Sequence, residues 1–217
     1  MPMLHYRSLY LEIKKSKILR LQALAIFFTT YIDWTLMPFI TKLEGTYLPV
    51  YMISFFMLIG ALDGFIQPFF NRIKLYNIYL FAIVLDIIQM FSYFFYDFSV
   101  IGFTYLILTI FTIQGITFEI ARIHTTDFMQ EEAVSLKDYL MIRSLMISAS
   151  IVLGAVSAMI ADAFDIKLSS VLIFLSLVGV IAIYFQVKLY YKFKKTNSIE
   201  IIEIETDKRE LFEKFRL

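Results

Sequence analysis

The sequence of 217 residues has no cysteine and only two histidines, His5 and His124. The missing cysteine excludes disulfides, thiolate metal sites and a cysteine nucleophile. Two histidines so far apart predict neither a metal site nor a bound cofactor. With only 7 glycines and 4 prolines, a collagen-like or low-complexity chain is also excluded.

Charge is scarce too: 18% of the residues are charged and 59% are hydrophobic. Soluble domains are about 25% charged and about 45–50% apolar, so an ordinary water-soluble enzyme is excluded. A net charge of +1 offers no basic field for nucleic acid. Dinucleotide, phosphate-loop, zinc-protease and serine-hydrolase motifs are absent, and we expect no enzyme.

Long apolar stretches make up roughly three fifths of the chain. A helix of about 20 mostly apolar residues is long enough to cross a bilayer. Six transmembrane helices are predicted: Leu19–Ile40, Leu48–Phe70, Leu75–Tyr96, Val100–Ala121, Met141–Ala161 and Leu168–Phe185. The predicted fold is therefore an all-α polytopic membrane protein. The sixth span carries little besides Ser176 and Gly179 and is predicted to face lipid.

Lysine and arginine are distributed unevenly over the predicted connections. Of 20 such residues, only Lys42 and Lys167 fall on one side. This positive-inside asymmetry predicts a cytoplasmic or inner membrane protein with both termini in the cytoplasm. Residues 18–195 form the six-helix domain. The amphipathic segment 1–17 either lies on the inner membrane surface or only fixes topology, and the charged cytoplasmic tail 196–217 is a strand, a helix or mobile.

Polar residues inside apolar spans are the candidate functional groups, since a charge there costs roughly 2.5–3.5 kcal/mol. In span one, Gln22, Thr29 and Asp33 fall within about 40° on a helix. Tyr105, Thr109, Thr112 and Glu119 form a similar stripe in span four. These stripes indicate a shared aqueous cavity, unless the threonine hydroxyls bond back to their own helices.

Individual roles follow from position along the spans. Asp33 is predicted to bind a proton, a cation or a cationic substrate, and the neighbouring Trp34 is a candidate cavity residue. Asp63, Asp86, Glu119 and Arg143 are predicted gate or coupling groups. A Glu119–Arg143 pair would neutralise both charges, either at an inner gate or as a plain structural pair.

Two short motifs resemble those of the major facilitator superfamily. After span two, Gly64-Phe-Ile-Gln-Pro-Phe-Phe-Asn-Arg-Ile-Lys74 is similar to the family's inner-loop signature. Arg72 and Lys74 match its basic end, whereas Pro68 and Asn71 replace an acidic residue and a glycine. In span four, Gln114-Gly115 resembles the family's Gln-Gly step, with Phe111 at the position of an arginine.

The resemblance covers residues about 18–190 and implies one six-helix half, with spans one to three and four to six as inverted repeats. In such halves, helices one and four line the central cavity, and Gln114 joins the candidate binding residues. The resemblance thus implies a small-solute transporter that works by alternating access as a homodimer or a pair of different halves. The alternative is a non-transporting membrane subunit that binds substrate for, or assembles, a larger transport complex.

Overall fold

The computed structural model describes residues 16–44, 73–96, 100–131 and 135–214. Over these residues the chain is helical and contains no strand. The helices are α1 (Lys17–Glu44), α2 (Leu75–Ser92, followed by the 3-10 turn Tyr93–Phe95), α3 (Val100–Glu131), α4 (Leu136–Ala163) and α5 (Leu168–Lys214). Helices suit these apolar sequences because they satisfy every backbone hydrogen bond within one segment.

Four of the helices are long and apolar enough to cross a membrane: Lys17–Ile40, Leu75–Phe95, Leu136–Ala163 and Leu168–Thr196. They coincide with predicted spans one, three, five and six, and they indicate an integral membrane protein. The fourth predicted span lies in α3, whose apolar part, Gly102–Thr117, is shorter. The second, Leu48–Phe70, lies outside the described residues, as does the amphipathic segment up to residue 15.

α1 and α2 run parallel to one another. Near their starts, the Gln22 amide donates to the Tyr79 hydroxyl over 3.2 Å. Farther along both helices, the Gln89 amide donates to the Asp33 carboxylate over 3.4 Å. Eleven residues of α1 and ten of α2 separate these contacts, so both chains advance in the same direction by about 15 Å.

The remaining helices alternate in direction around this pair. α3 and α5 run antiparallel to α1 and α2, and α4 runs parallel to them. The contacts that fix these directions are Asp86–Gln114 and Ile78 with Ile120 for α3, Tyr139–Gln22 and Tyr31–Ser157 for α4, and Asp86–Gln186 and Tyr79–Phe193 for α5. The end of the bundle where α1, α2 and α4 begin is called the basic end, since Lys17, Arg20, Lys74, Lys137 and Lys188 lie near it.

A tight turn reverses the chain between α4 and α5. The Ile166 amide donates to the Ala161 carbonyl over 2.8 Å, and the Asp165 amide to the Asp162 carbonyl over 3.1 Å. This pattern is a Schellman cap, which needs a left-handed residue just after the helix. Asp165 has φ 50° and fills that position, which aspartate tolerates better than most side chains.

Among the described residues, the core contains two large apolar clusters with a polar layer between them, and a third, small cluster of Ile78, Ile120 and Ala121. One large cluster contains Ile18, Leu19, Tyr79, Tyr139, Leu189 and Phe193 toward the basic end, and the other contains Ile32, Leu36, Tyr93, Ile107, Leu175 and Ala182. On the outside, α4 and α5 expose large apolar side chains such as Met159 and Ile173. This exposed surface suits contact with lipid, which is as apolar as the side chains themselves.

The prediction that span six faces lipid is compatible with one face of α5 only. Ile173 and Leu177 are exposed, but Leu175, Ala182 and Gln186 are completely buried against other helices. The tail was predicted as strand, helix or mobile chain, and α5 continues through it as a helix to Lys214.

Candidate functional site

Six polar side chains from four helices meet in the layer between the apolar clusters. We call this set the core polar network: Thr29, Asp33, Asp86, Gln89, Gln114 and Gln186. It lies where α1, α2, α3 and α5 approach one another. Helical spacing aligns its members, since residues three or four apart share one face.

Asp86 is the centre of the network. Its Oδ1 accepts a hydrogen bond from Gln114 Nε2 at 2.6 Å, and its Oδ2 accepts one from Gln186 Nε2 at 2.6 Å. Both distances are in the short range typical of bonds to a charged acceptor. The two carboxylate oxygens are therefore each held by a different neighbouring helix.

Further bonds extend the network in both directions from Asp86. Gln114 Nε2 also donates to Gln89 Oε1 at 2.9 Å, and Gln89 Nε2 donates to Asp33 Oδ1 at 3.4 Å. On the other side, Gln186 Nε2 also donates to Thr29 Oγ1 at 3.3 Å. One continuous path of hydrogen bonds thus connects the two aspartates.

The network is sealed by protein. Thr29, Asp86, Gln89, Gln114 and Gln186 are all buried, and only Asp33 is half-buried. Three oxygens in or beside it have no hydrogen-bond partner: Gln114 Oε1, Gln186 Oε1 and the Tyr93 hydroxyl. Most buried polar atoms in proteins are paired, and these three oxygens can each accept a further hydrogen bond.

A second polar cluster lies toward the basic end. Gln22 Nε2 donates to the hydroxyls of both Tyr79 and Tyr139 at 3.2 Å. A cavity of about 60 Å³ adjoins it, and Thr30 and Arg143 line that cavity with several apolar side chains. This volume accommodates a few water molecules, because each needs roughly 10–15 Å³ on this measure.

The structure brings four of the predicted site residues together and places two more near them. Thr29, Asp33, Asp86 and Gln114 lie in the core polar network, and Gln22 lies one layer toward the basic end with Arg143 on the adjoining cavity. Thr112 does not join them, since its hydroxyl donates to the Leu108 carbonyl of its own helix at 2.8 Å.

Other predicted residues lie apart or outside the described side chains. Trp34 is 42% exposed, and Thr109 is exposed on α3. Tyr105 and Glu119 belong to α3, but their side chains lie outside the described part, and so does the whole of Asp63. The Glu119–Arg143 pair therefore remains a prediction.

Sequence reasoning missed Gln186 and the two tyrosines. Gln186 follows directly after Phe185, the predicted end of span six, and therefore lies outside the residues considered for the site. The apolar helix continues to Thr196, but the sequence does not show which helix Gln186 contacts. Tyr79 and Tyr139 do not stand out in the sequence as site residues, because tyrosine is common at both membrane interfaces.

Fold and site together define a class: a helical integral membrane protein with a buried carboxylate–amide network. Comparison with protein-family models, curated proteins and solved structures yields no match to this chain. The function must therefore be argued from the network itself.

Proposed function

We propose that this protein is a membrane transporter of a small solute, coupled to a proton or another cation. It would work by alternating access as a dimer of six-helix halves. The observation that carries the proposal is the core polar network, in which Asp33 and Asp86 are connected through amides inside an apolar bundle. Ionisable groups at membrane depth are costly and generally mark ion or substrate pathways.

The depth of Asp86 supports this reading. Asp86 lies eleven residues after Leu75, the first residue of α2, which places it about 17 Å along the helix axis. The hydrocarbon core is about 30 Å thick, so this carboxyl group lies near mid-depth. Neither Asp86 nor Asp33 forms an ion pair with a described cation, and their hydrogen-bond partners are neutral amides.

The parallel arrangement of α1 and α2 supports six spans. The chain leaves one end of the bundle at Glu44 and enters α2 from the opposite end at Leu75. A return crossing of the bundle between these residues would connect the two ends. The predicted span Leu48–Phe70 falls in this interval, and its 23 residues would extend about 35 Å as a helix, enough for one crossing.

The helix contacts also support the proposed inverted repeat and, with it, the resemblance to one half of a major facilitator superfamily transporter. In such a repeat, spans one, two and three exchange with spans four, five and six. The repeat then relates two helix pairs, because it converts the contact between spans one and six into the contact between spans four and three. It also converts the contact between spans three and six into the same contact with the two spans exchanged. The equivalent pairs α1 with α5, α2 with α3, and α2 with α5 all pack together.

The proposed dimer follows from the same resemblance. One half presents only one wall of a midplane site, so a second copy or another half would complete it. Native mass measurement in mild detergent is expected to give twice the 25.5 kDa chain mass or a defined pair with another half. A strict monomer would contradict the two-half mechanism.

Coupling can be tested with Asp33→Asn and Asp86→Asn in proteoliposomes that enclose a pH indicator. A panel of small solutes is added outside, and the proton flux that accompanies each one is recorded. The intact protein is expected to couple at least one solute to proton movement. Asp33→Asn should abolish that coupled flux while expression and assembly remain normal, because the hydrogen-bonded path to Asp86 would then lack one of its two ionisable ends.

The matched control is Thr112→Val, whose hydroxyl bonds only within its own helix; it should transport normally. Unchanged flux in Asp33→Asn would remove Asp33 from the mechanism. If no solute moves and the chain instead purifies with a partner that hydrolyses ATP, the protein is a non-transporting subunit of a larger complex.

A further inference from the structure

We infer that Asp86 is a proton-binding site and that the side-chain amide of Gln186 reverses its orientation when the carboxyl group is protonated. This inference deepens the proposed function and rests on it for its role in transport. It names the coupling ion, the group that takes it up and the neighbour that responds.

The occupied carboxylate oxygens favour a proton over a metal cation. Each oxygen of Asp86 already accepts an amide hydrogen at 2.6 Å. A sodium or potassium ion bound to either oxygen would bring its charge close to an amide hydrogen that the same oxygen already accepts. A proton adds to one oxygen without needing space of its own.

Protonation changes what Asp86 requires from its neighbours. An ionised carboxylate only accepts hydrogen bonds, as it does in this structure, whereas a carboxylic acid also donates one. Gln186 Nε2 at Oδ2 is itself a donor and cannot accept that hydrogen. Gln186 Oε1 is a buried acceptor without a partner. Rotating the terminal amide by half a turn exchanges the two atoms and brings the free acceptor to the new O–H.

Thr29 can keep its hydrogen bond to Gln186 after this rotation, whereas Gln186 Nε2 moves to the buried position that Oε1 now occupies. The Thr29 hydroxyl now accepts from Gln186 Nε2 at 3.3 Å. A hydroxyl can also donate, so after rotation Thr29 can give its hydrogen to Gln186 Oε1. That oxygen has two lone pairs and can accept from Thr29 and from protonated Asp86 together.

Gln114 is less suited to the same role. Its Nε2 holds both Asp86 Oδ1 and Gln89 Oε1. Reversing it would bring its oxygen against the Gln89 oxygen and break the path that leads to Asp33. We therefore assign the response to Gln186 and a fixed, supporting role to Gln114.

Few other titratable groups face Asp86. Among the described residues, these are Asp33 on α1 and the phenol of Tyr93 after α2. α3 and α5 present the neutral amides of Gln114 and Gln186. In the proposed step a proton arrives from water, one Oδ2–H bond forms, and the carboxylate charge is neutralised. The bond between α2 and α5 then changes from charge-assisted to neutral and weakens.

Infrared difference spectroscopy of the full-length protein in lipid nanodiscs, recorded between acidic and basic pH, tests the inference directly. The C=O stretch of a protonated carboxyl group is distinct from that of a carboxylate. The intact protein is expected to give a buried-carboxyl signal that is lost in Asp86→Asn and kept in Asp33→Asn. A signal that persists in Asp86→Asn would overturn the assignment.

The role of Gln186 is tested by the midpoint, which is the pH at which the buried-carboxyl signal is half of its maximum. Gln186→Leu and Thr29→Val should each displace the midpoint by about one pH unit or more, since each alters a bond network around a charged group. Gln22→Leu removes a buried glutamine outside the network and should leave the midpoint unchanged. Equal displacement by all three variants, or none by Gln186→Leu, would refute the amide response.

Two further outcomes separate this inference from the proposed function. If Asp86→Asn does not fold, Thr29→Val and Gln186→Leu still decide the question through the midpoint. If the signal titrates as expected but no solute drives proton flux, the transporter proposal fails while the proton site stands.

Discussion

At the scale of single residues, the direction of a hydroxyl decides what a buried threonine contributes. Thr29 and Thr112 are both buried in apolar helices. Thr29 takes part in a contact between α1 and α5 through Gln186, whereas Thr112 bonds to a carbonyl of its own helix. The same residue type thus joins two helices in one case and none in the other.

Thr29→Val is therefore expected to lower the free energy of unfolding by about 0.5–1.5 kcal/mol, as for other interhelical bonds in membranes. Thr112→Val should change it by less than about 0.5 kcal/mol, because a hydroxyl bonded to its own helix adds little. Unfolding in mixed micelles with increasing dodecyl sulfate measures both. Equal losses would show that the interhelical bond does not stabilise the bundle.

The polar residues were predictable from the sequence as a set, but their partners were not. Helical spacing places Thr29 and Asp33 on one face of a helix, and they do share one network. Spacing says nothing about which neighbouring helix lies opposite that face. For this reason Gln186, 157 residues from Thr29 in sequence, could be found only in the folded chain.

At the scale of helices, the crossing of α1 and α4 depends on a glycine. A methyl group added at Gly154 would lie 3.1 Å from the Tyr31 carbonyl oxygen and the Thr35 nitrogen, both in the α1 backbone. Backbone atoms cannot rotate away, so the two helices would have to separate. Small residues allow such close approach in membrane bundles.

Gly154→Ala is expected to destabilise the bundle by about 1–3 kcal/mol, the usual penalty for overpacking. Gly179→Ala is the matched control, since its added carbon would meet the side chain of Met90 at 2.9 Å, and methionine adapts its shape readily. Midpoints of unfolding for the two variants should differ clearly. If Gly179→Ala is the more damaging change, the close approach at Gly154 is not what fixes the crossing.

The helix-scale predictions located long apolar helices but not the residues where those helices end. Predicted spans one, three, five and six coincide with the four long apolar helices. Predicted span six ends at Phe185, whereas the apolar helix extends to Thr196 and α5 to Lys214. The end of an apolar run indicates where a helix leaves the membrane. It does not indicate where the helical backbone hydrogen bonding ends.

At the scale of the whole molecule, the parallel pair α1 and α2 makes a topological prediction. The chain lacks cysteine, so single cysteines can be introduced at Glu44, Lys74 and Lys167 without background. A membrane-impermeant maleimide should label Glu44→Cys and Lys167→Cys from one side and Lys74→Cys from the other. Right-side-out and inverted vesicles distinguish the sides, and the cysteine-free parent is the control.

Labelling of Glu44→Cys and Lys74→Cys from the same side would be incompatible with a return crossing between them. The side on which Lys74→Cys reacts also tests the predicted orientation, because the excess of lysine and arginine predicts that this end lies in the cytoplasm. The sequence can predict an orientation because charge sorting depends on which connections carry lysine and arginine. It could not supply the packing order of the helices, which depends on shape.

The unbroken length of α5 has a mechanical consequence. Its 47 residues extend about 70 Å, more than twice the hydrocarbon thickness. Roughly 30 Å of this rod, from Lys195 onward, continues past the basic end of the bundle. With no hinge between Gln186 and Lys214, a tilt of a few degrees at the buried amide would sweep the distal tip through several ångströms. A change at Gln186 inside the membrane would then become a displacement of the distal end of α5 in the aqueous phase.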